Sequence, residues 1–315
     1  VLVGGFAGMN ANYVYCVNCN SSVNLHFSDI ESIEYSGGFA GKLDTKLASD
    51  SEYVVIGCHS TGTIDFSYSE AFLGGTNYSY LNGVGGFVGT VGINNVTNNG
   101  KIARCYTTSD ISVDYLWDAY IGGFAGNLGF YAQNITIENC YSWSSITSEN
   151  GYVVDYGGVV KIGGFASHSY ANKPQRNIVN SYCAQTNSKY GSGLSEQLYD
   201  SNDTDTSGFI ETASDINSTS CFYDTDTSGV YTDSFNEATG HITSWMMTKS
   251  NYEDAGWDFD TIWVICEGTV ESGTTTTDID GEFTDGVRLI PFEFSTDDAY
   301  ILAFGNGFIG FYRNQ

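Results

Sequence analysis

Gly37-Gly38-Phe39-Ala40-Gly41 decides the reading of this chain, because the phrase keeps returning. It stands again at Val3-Gly4-Gly5-Phe6-Ala7-Gly8, at Gly85-Gly86-Phe87-Val88-Gly89, at Gly122-Gly123-Phe124-Ala125-Gly126 and, without its last glycine, at Gly163-Gly164-Phe165-Ala166. The starts are 33, 48, 37 and 41 residues apart. A period of that size marks a repeat architecture, in which one unit cannot bury its apolar face alone and must stack on its neighbours. Two residues without side chains ahead of an aromatic suit a backbone that turns tightly beside the next repeat.

A second phrase follows the first. Val55-x-x-Cys58-His59, Ile102-x-x-Cys105-Tyr106 and Ile137-x-x-Cys140-Tyr141 each have an isoleucine six residues after the cysteine, at Ile64, Ile111 and Ile146. Looser copies contain Cys16 with Cys19, and Cys183 after Tyr182. The apolar positions are short, alternating and β-branched, bounded by Gly, Asn, Ser and Asp, which is the grammar of strands and turns. The expected fold is all-β: a β-solenoid with internal ladders of Phe, Cys and Ile. Each repeat holds either one rung with loops or two rungs.

Composition agrees with a repeat stack. The chain has 315 residues, 38 Gly, 23 Tyr, 19 Phe and only 2 Pro, and 41% of it is hydrophobic, enough for a substantial core in one or two domains. No apolar run reaches the ~18 residues of a membrane span. The sequence opens inside a repeat without a Met or a signal-like segment, so a mature or trimmed product is expected. The net charge of −26, with 11 Lys plus Arg, argues against nucleic acid, which needs clustered basic residues, and disfavours an anionic membrane surface. The acidity reads as mutual repulsion and solubility, or as divalent-cation binding or life in high salt. Sequons at Asn20, Asn77, Asn95, Asn134, Asn202 and Asn217 are chance matches in an Asn- and Ser-rich chain, or glycosylation sites if the chain is secreted.

The eight cysteines admit more than one reading. Cys58, Cys105, Cys140 and Cys183 are expected at matching repeat positions, as a ladder of small buried hydrophobes, mostly reduced. Disulfides such as Cys16 with Cys19 or Cys221 with Cys266 are the alternative in an oxidising compartment. A lone Cys-x-x-Cys without a second pair or a histidine cluster is a poor zinc site. After about residue 190 the glycine phrase is expected to stop. Asp203-Thr-Asp205-Thr-Ser207-Gly208 and Asp224-Thr-Asp226-Thr-Ser228-Gly229 follow, 21 residues apart and identical. Alternate oxygen side chains before a glycine look like half of a calcium loop, but position 12 is Ser214 or Phe235 instead of Glu. The competing reading is an Asx-type turn. Calcium through Asp203, Asp205, Ser207, Asp224, Asp226 and Ser228 is therefore one expectation and a turn is the other. Ile242 to Asn251 is the one expected short helix, and Trp257 and Trp263 are expected to form a lid over the open end of the core.

Gly-Gly-Phe-Ala-Gly, Ile-x-Asn-Cys-Tyr-Ser, Cys221-Phe222-Tyr223-Asp224, Met247-Thr248-Lys249 and Ala255-Gly256-Trp257-Asp258-Phe259 together resemble the GLUG-motif repeat proteins, over roughly residues 1–267. The departure is Phe where Leu or Tyr is common in the glycine phrase. The resemblance implies a right-handed parallel β-helix, a secreted or cell-surface setting, often adhesin-like, and no catalytic residues. Residues 287–315 read as strand–turn–strand, with Asn306-Gly307 as a hairpin turn. This stretch is similar to a β-rich segment of bacteriophage tail-associated proteins, departing from it at Ala303 and Gly310.

The expected organisation is solenoid repeats over 1–190, last rungs and a capping segment over 191–267, a linker over 268–286 containing Thr274 to Thr277, and a terminal β-hairpin over 287–315. Tyr300, Ile301, Leu302, Phe304, Phe308, Ile309, Phe311 and Tyr312 are its expected docking or assembly residues, folding back on the solenoid or adding to a neighbour's sheet. The second option suggests head-to-tail assembly, with the first rung meeting another subunit's end. His26, His59, His168 and His241 are scattered, and neither His-Glu-x-x-His nor Gly-x-Ser-x-Gly occurs. The expected function is a non-catalytic structural or adhesive building block of a surface layer, filament or virion fibre, self-associating as a homo-oligomer. The alternatives are a phage tail adhesin, a binder of glycans or of a cell-surface receptor through exposed Tyr and Trp, or, less favoured, a glycan-cleaving β-helix.

Overall fold

The structure is a computed structural model that describes residues 2–8, 14–30, 32–43, 52–67, 80–92, 99–113, 118–129, 135–147, 160–168, 176–184, 204–212, 216–231, 238–264, 290–291, 300–305 and 308–313. The chain divides into two compact units, Val1–His241 and Ile242–Gln315.

In the first unit each repeat supplies one strand to each of several parallel sheets, visited in a constant order. The second repeat shows the order: Tyr35–Gly37 enters sheet A, Ala40–Leu43 sheet B, Glu52–Ile56 sheet C, His59–Thr61 sheet D and Thr63–Ser67 sheet E. Strands of the next repeat lie beside these in parallel, with Ile102 against Val55 and Ile137, and Ile111 against Ile64 and Ile146. Each repeat is thus one circuit of the sheets, and the uneven period comes from the connections between strands. The fold is all-β and built on parallel sheets.

Inside, the apolar side chains form two columns. Sheets B and C and the Phe phrase enclose one, containing Phe87, Val88, Ile102 and Cys105; sheets A and E enclose the other, containing Ile64, Phe66, Val84 and Ile121. Where they meet, the glycine pair presses against buried hydroxyls on sheet D and just beyond its strands. Ser60 Oγ donates to the Gly86 carbonyl at 2.7 Å, and Ser144 Oγ to the Gly123 carbonyl at 3.0 Å. A Cβ on Gly38 would stand 2.2 Å from the Gly86 oxygen and 2.7 Å from Ser109 Oγ, so close backbone approach explains the glycine. The Phe residues stack along the repeats from Phe6 through Phe39, Phe87, Phe124 and Phe165 to Phe209, with ring centroids 4.8–4.9 Å apart. That separation is the spacing of neighbouring strands.

The corner between sheets C and D is a left-handed residue in every repeat. Asn18, Arg104, Asn139, Asn180 and Ser220 have φ of 48–54°, and Gly57 has φ of 64°. Each stands directly before the cysteine position. One residue in the left-handed region turns the chain by a fixed angle without a loop, and Gly and Asn carry that conformation most cheaply.

Three expectations are refined. The Gly-Gly-Phe string does stop before residue 190, but its place in the repeat is filled once more. Ser207-Gly208-Phe209-Ile210 continues it, with Ser207 paired to Gly163, Ile210 to Ala166 and Phe209 stacked on Phe165. Gly208 is retained because a Cβ there would meet the Tyr223 ring at 2.2 Å. Strands continue as far as Thr239–His241, so the repeat unit runs to the division at His241. Second, Cys183 is two residues out of the cysteine register. Tyr182 pairs with Tyr141, which puts Ser181 at the Cys140 position and Cys183 beside Ser142. Third, the expected helix is two short helices, Thr243–Met246 and Lys249–Asp254, broken at Met247-Thr248, and a further helical turn spans Thr225–Ser228.

The second unit has an aromatic cluster of its own. Tyr252 is fully buried, donates its hydroxyl to the Met246 carbonyl at 2.7 Å, and packs on Trp257, which packs on Trp263 at 4.6 Å. Trp263-Val264 pairs antiparallel with Ile290-Pro291, and Tyr300–Gly305 with Phe308–Arg313 in the expected hairpin.

Candidate assembly surface

Leu2–Gly4, Val14–Val17, Asn20–Ser22 and Leu25–Ser28 are the first strands of sheets A, C, D and E among the described residues. Apolar exposure concentrates here. Among the described residues, six large hydrophobics are well exposed, and four of them are Phe6, Tyr15, Val17 and Val23. Phe6 has one face on Phe39 and is 52% exposed, whereas Phe87 lies between two rings and is fully buried. In a chain with 37 acids, residues 1–30 hold one, Asp29, and no Lys or Arg. The repulsion that separates copies elsewhere is nearly absent in this first repeat.

Within it, Leu2–Gly4 and Val14-Tyr15-Cys16-Val17 hold no Asn, Ser, His or charged residue, whereas the other two strands do. Cys16 is half-buried against the core, while Tyr15 is 76% exposed on the outer face beside Val17. The next strand continues that outer face with the half-buried Val54 and Ile56, and the Lys101–Glu138 ion pair at 2.7 Å follows. At the other end of the same sheet the terminal strand is Ile216-Asn217-Ser218-Thr219, with Asn217 and Thr219 exposed.

The cysteine ladder is a hydrogen-bond device. The amides of Cys19, Cys58 and Cys105 donate to the sulfurs of Cys58, Cys105 and Cys140, each at 3.4 Å. The amide of Cys140 donates to Ser181 Oγ at 3.2 Å. Each thiol in turn donates to the carbonyl two residues earlier, Cys105 to Ala103 at 3.3 Å and Cys140 to Glu138 at 3.3 Å, as Ser181 Oγ does to Val179 at 3.0 Å. Only a protonated sulfur can donate, and its thiol partner Cys105 together with burial pushes the Cys58 thiol far up. Burial does the same for Cys105. None of the seven described cysteines is in a disulfide, Cys16 and Cys19 included; Cys266 lies outside the described residues.

Sheet D carries an aromatic file on its other face. His59, Tyr106, Tyr141 and Tyr182 stack with centroids 4.7–5.2 Å apart and planes within 11°. Their faces cover one another, so the file offers ring edges, a poor platform for a flat sugar ring. Burial lowers the pKa of His59. The histidines do not converge: His26 pairs with Asp65 at 2.5 Å in sheet E, and His241 lies tilted on Phe222 in sheet D. His168 is in sheet B.

The two identical hexapeptides adopt different structures. Thr204–Ser207 is a strand of sheet A, with Asp205 paired to Lys161 and Ser207 buried. Thr225–Ser228 is a helical turn whose cap, Asp224, accepts the amides of Asp226 at 2.9 Å and Thr227 at 3.2 Å, while Ser228 donates to the Asp224 carbonyl at 2.6 Å. The pair does not build one kind of calcium loop, and no group of three His, Cys, Asp or Glu gathers among the described residues. Asp203 lies outside them. Of the sequons, Asn20 and Asn217 are exposed on strands, Asn217 donating to Asn177 at 3.2 Å; Asn77, Asn95, Asn134 and Asn202 lie outside the described residues.

Tyr300, Ile301, Leu302 and Phe304 face Arg313, Tyr312, Phe311 and Ile309 across the terminal hairpin, and Gly305 faces Phe308. Asn306-Gly307 and residues 268–286 lie outside the described residues. Among those described, no helix is long and apolar enough to cross a membrane. No family model, curated protein or solved structure matches the chain.

Proposed function

We propose that this chain is a right-handed parallel β-solenoid that serves as a structural or adhesive building block outside the cell, in a surface filament, layer or fibre, and that it associates with its own kind. The single observation that carries this reading is that successive repeats add strand beside parallel strand with their rings in register, Phe39 on Phe87 on Phe124 on Phe165 at 4.8 Å, an architecture that grows by stacking. A constant visiting order through parallel sheets supports the solenoid, because a repeat unit extends by adding neighbours. Electron microscopy of the purified chain tests the proposal. Ordered oligomers or filaments are expected; single particles at every concentration would contradict it.

A further inference from the structure

The outer face of sheet C carries at Ile216–Thr219 a pair of side chains that the sheet's other described strands do not repeat. Successive residues of a strand point to opposite faces. In Ile216-Asn217-Ser218-Thr219 the outer positions are Asn217 and Thr219, both exposed, while Ile216 packs against the core. The neighbouring strand places Asn177 and Val179 beside them, and the two strands before it place Thr136 with Glu138 and Lys101 with Ala103. An asparagine two residues ahead of a hydroxyl therefore stands on this face at Asn217 alone among the described residues. Asn-x-Ser/Thr is the acceptor sequence for an N-linked oligosaccharide, and the strand holds its amide and its hydroxyl on one accessible side. The Asn217 amide nitrogen has two hydrogens. One is donated to Asn177 Oδ1 at 3.2 Å.

Resting on the setting outside the cell proposed above, we propose that Asn217 is a modification site that carries an N-linked oligosaccharide on the outer face of sheet C. The donor is an oligosaccharide held on a lipid pyrophosphate. The bond from the Asn217 nitrogen to the anomeric carbon forms, the bond from that carbon to the pyrophosphate oxygen breaks, the lipid pyrophosphate leaves, and one amide proton passes to the transferase. The remaining amide hydrogen keeps the bond to Asn177, so the sugar is added without loss of a cross-strand contact. Nor does it disturb packing: Ser218, between the two outer residues, stands beside the buried Ile178 and takes the inward place. A hydrated glycan at Asn217 covers its surroundings on sheet C and keeps that part of the face out of contacts between copies. The self-association proposed above then runs through other surfaces.

The full chain secreted by a eukaryotic cell provides the test, as wild type and as Asn217→Gln, Thr219→Ala and Thr219→Ser. Both positions are outward and exposed, and circular dichroism checks that the fold is kept. Peptide-N-glycosidase turns a glycosylated asparagine into aspartate, so mass spectrometry of the peptide holding residue 217 reads this site apart from the other sequons. The expected result is conversion at position 217 in the wild type and in Thr219→Ser, its loss in Thr219→Ala, and one glycan fewer on the intact Asn217→Gln chain. An unconverted position 217 in the wild type overturns the site, whether or not other sequons carry sugar. Conversion that persists in Thr219→Ala overturns the role given to the hydroxyl. The two proposals fail separately. A bare Asn217 on a chain that forms filaments removes the glycan and leaves self-association standing; single particles with a glycan at Asn217 do the reverse.

Discussion

Replacing Phe87 by Ala should cost far more than replacing Phe6 by Ala, although both occupy the same place in the same phrase. Phe87 is fully buried and stacks on Phe39 and Phe124, each at 4.8 Å. Its removal leaves a ring-sized cavity between two strands that cannot collapse, because their spacing is held by parallel backbone pairing above and below. Loss of a buried Phe of this kind costs about 3–5 kcal/mol. Phe6 has one stacking face, on Phe39 at 4.9 Å, and is 52% exposed. Half of a Phe transfer term is about 1 kcal/mol and one stacked pair adds about 0.5–1.5 kcal/mol, so Phe6→Ala should cost about 2 kcal/mol. Guanidinium denaturation at high dilution, where copies are apart, measures both. Hydrogen exchange beside each substitution guards against unfolding that is not all-or-none, a risk in repeat stacks. Equal costs for the two variants would refute the ladder.

Other consequences follow from the same geometry. Gly38→Ala should disrupt the fold, because its Cβ would lie 2.2 Å from a backbone oxygen, whereas Gly57→Ala meets only the end of the Asn18 side chain at 2.3 Å; Gly57→Ala should cost about 1–2 kcal/mol for its left-handed φ, and similar melting temperatures would count against the close backbone approach at Gly38. Cys140→Ser should be tolerated within about 1.5 kcal/mol, as Ser181 already fills the next place in that ladder, while Cys140→Leu overpacks by about 1–3 kcal/mol or more; alkylation of the native chain should reach Cys16 and Cys19 before the buried cysteines, and early labelling of Cys105 would contradict the ladder. His59 is held below its ordinary pKa by burial. Its stabilising contribution is therefore complete above the unfolded value of about 6.5 and declines as pH falls toward the folded one. His59→Tyr, which extends the tyrosine file, should lose less melting temperature than the wild type between pH 7.5 and 5, with all other groups common to both; an equal loss would remove His59 from the account.

Periodicity alone disclosed the Phe ladder, the Ile64–Ile111–Ile146 register and the cysteines at 58, 105 and 140, because the same residue type returns at each of these core places. The sixth glycine phrase was hidden by Ser207 and Ile210 standing where Gly and Ala stand earlier; the structure keeps only Gly208 and Phe209, the two that close approach and stacking demand. Cys183 misled because a cysteine was matched to a cysteine. Asn180-Ser181-Tyr182 aligns with Asn139-Cys140-Tyr141, and a hydroxyl replaces a thiol because both donate to the same carbonyl position. The left-handed corner was not legible, since Arg104 and Ser220 carry it as well as Gly57 and three asparagines. The repeated hexapeptide shows the limit most plainly. One string is a strand where sheet A needs a neighbour and a capped turn elsewhere, so the neighbouring strands and not the local letters choose its conformation.

Electron microscopy of the purified chain over a range of concentrations tests the proposed self-association most directly. The prediction is ordered oligomers or filaments that grow with concentration. Single particles at every concentration would contradict it.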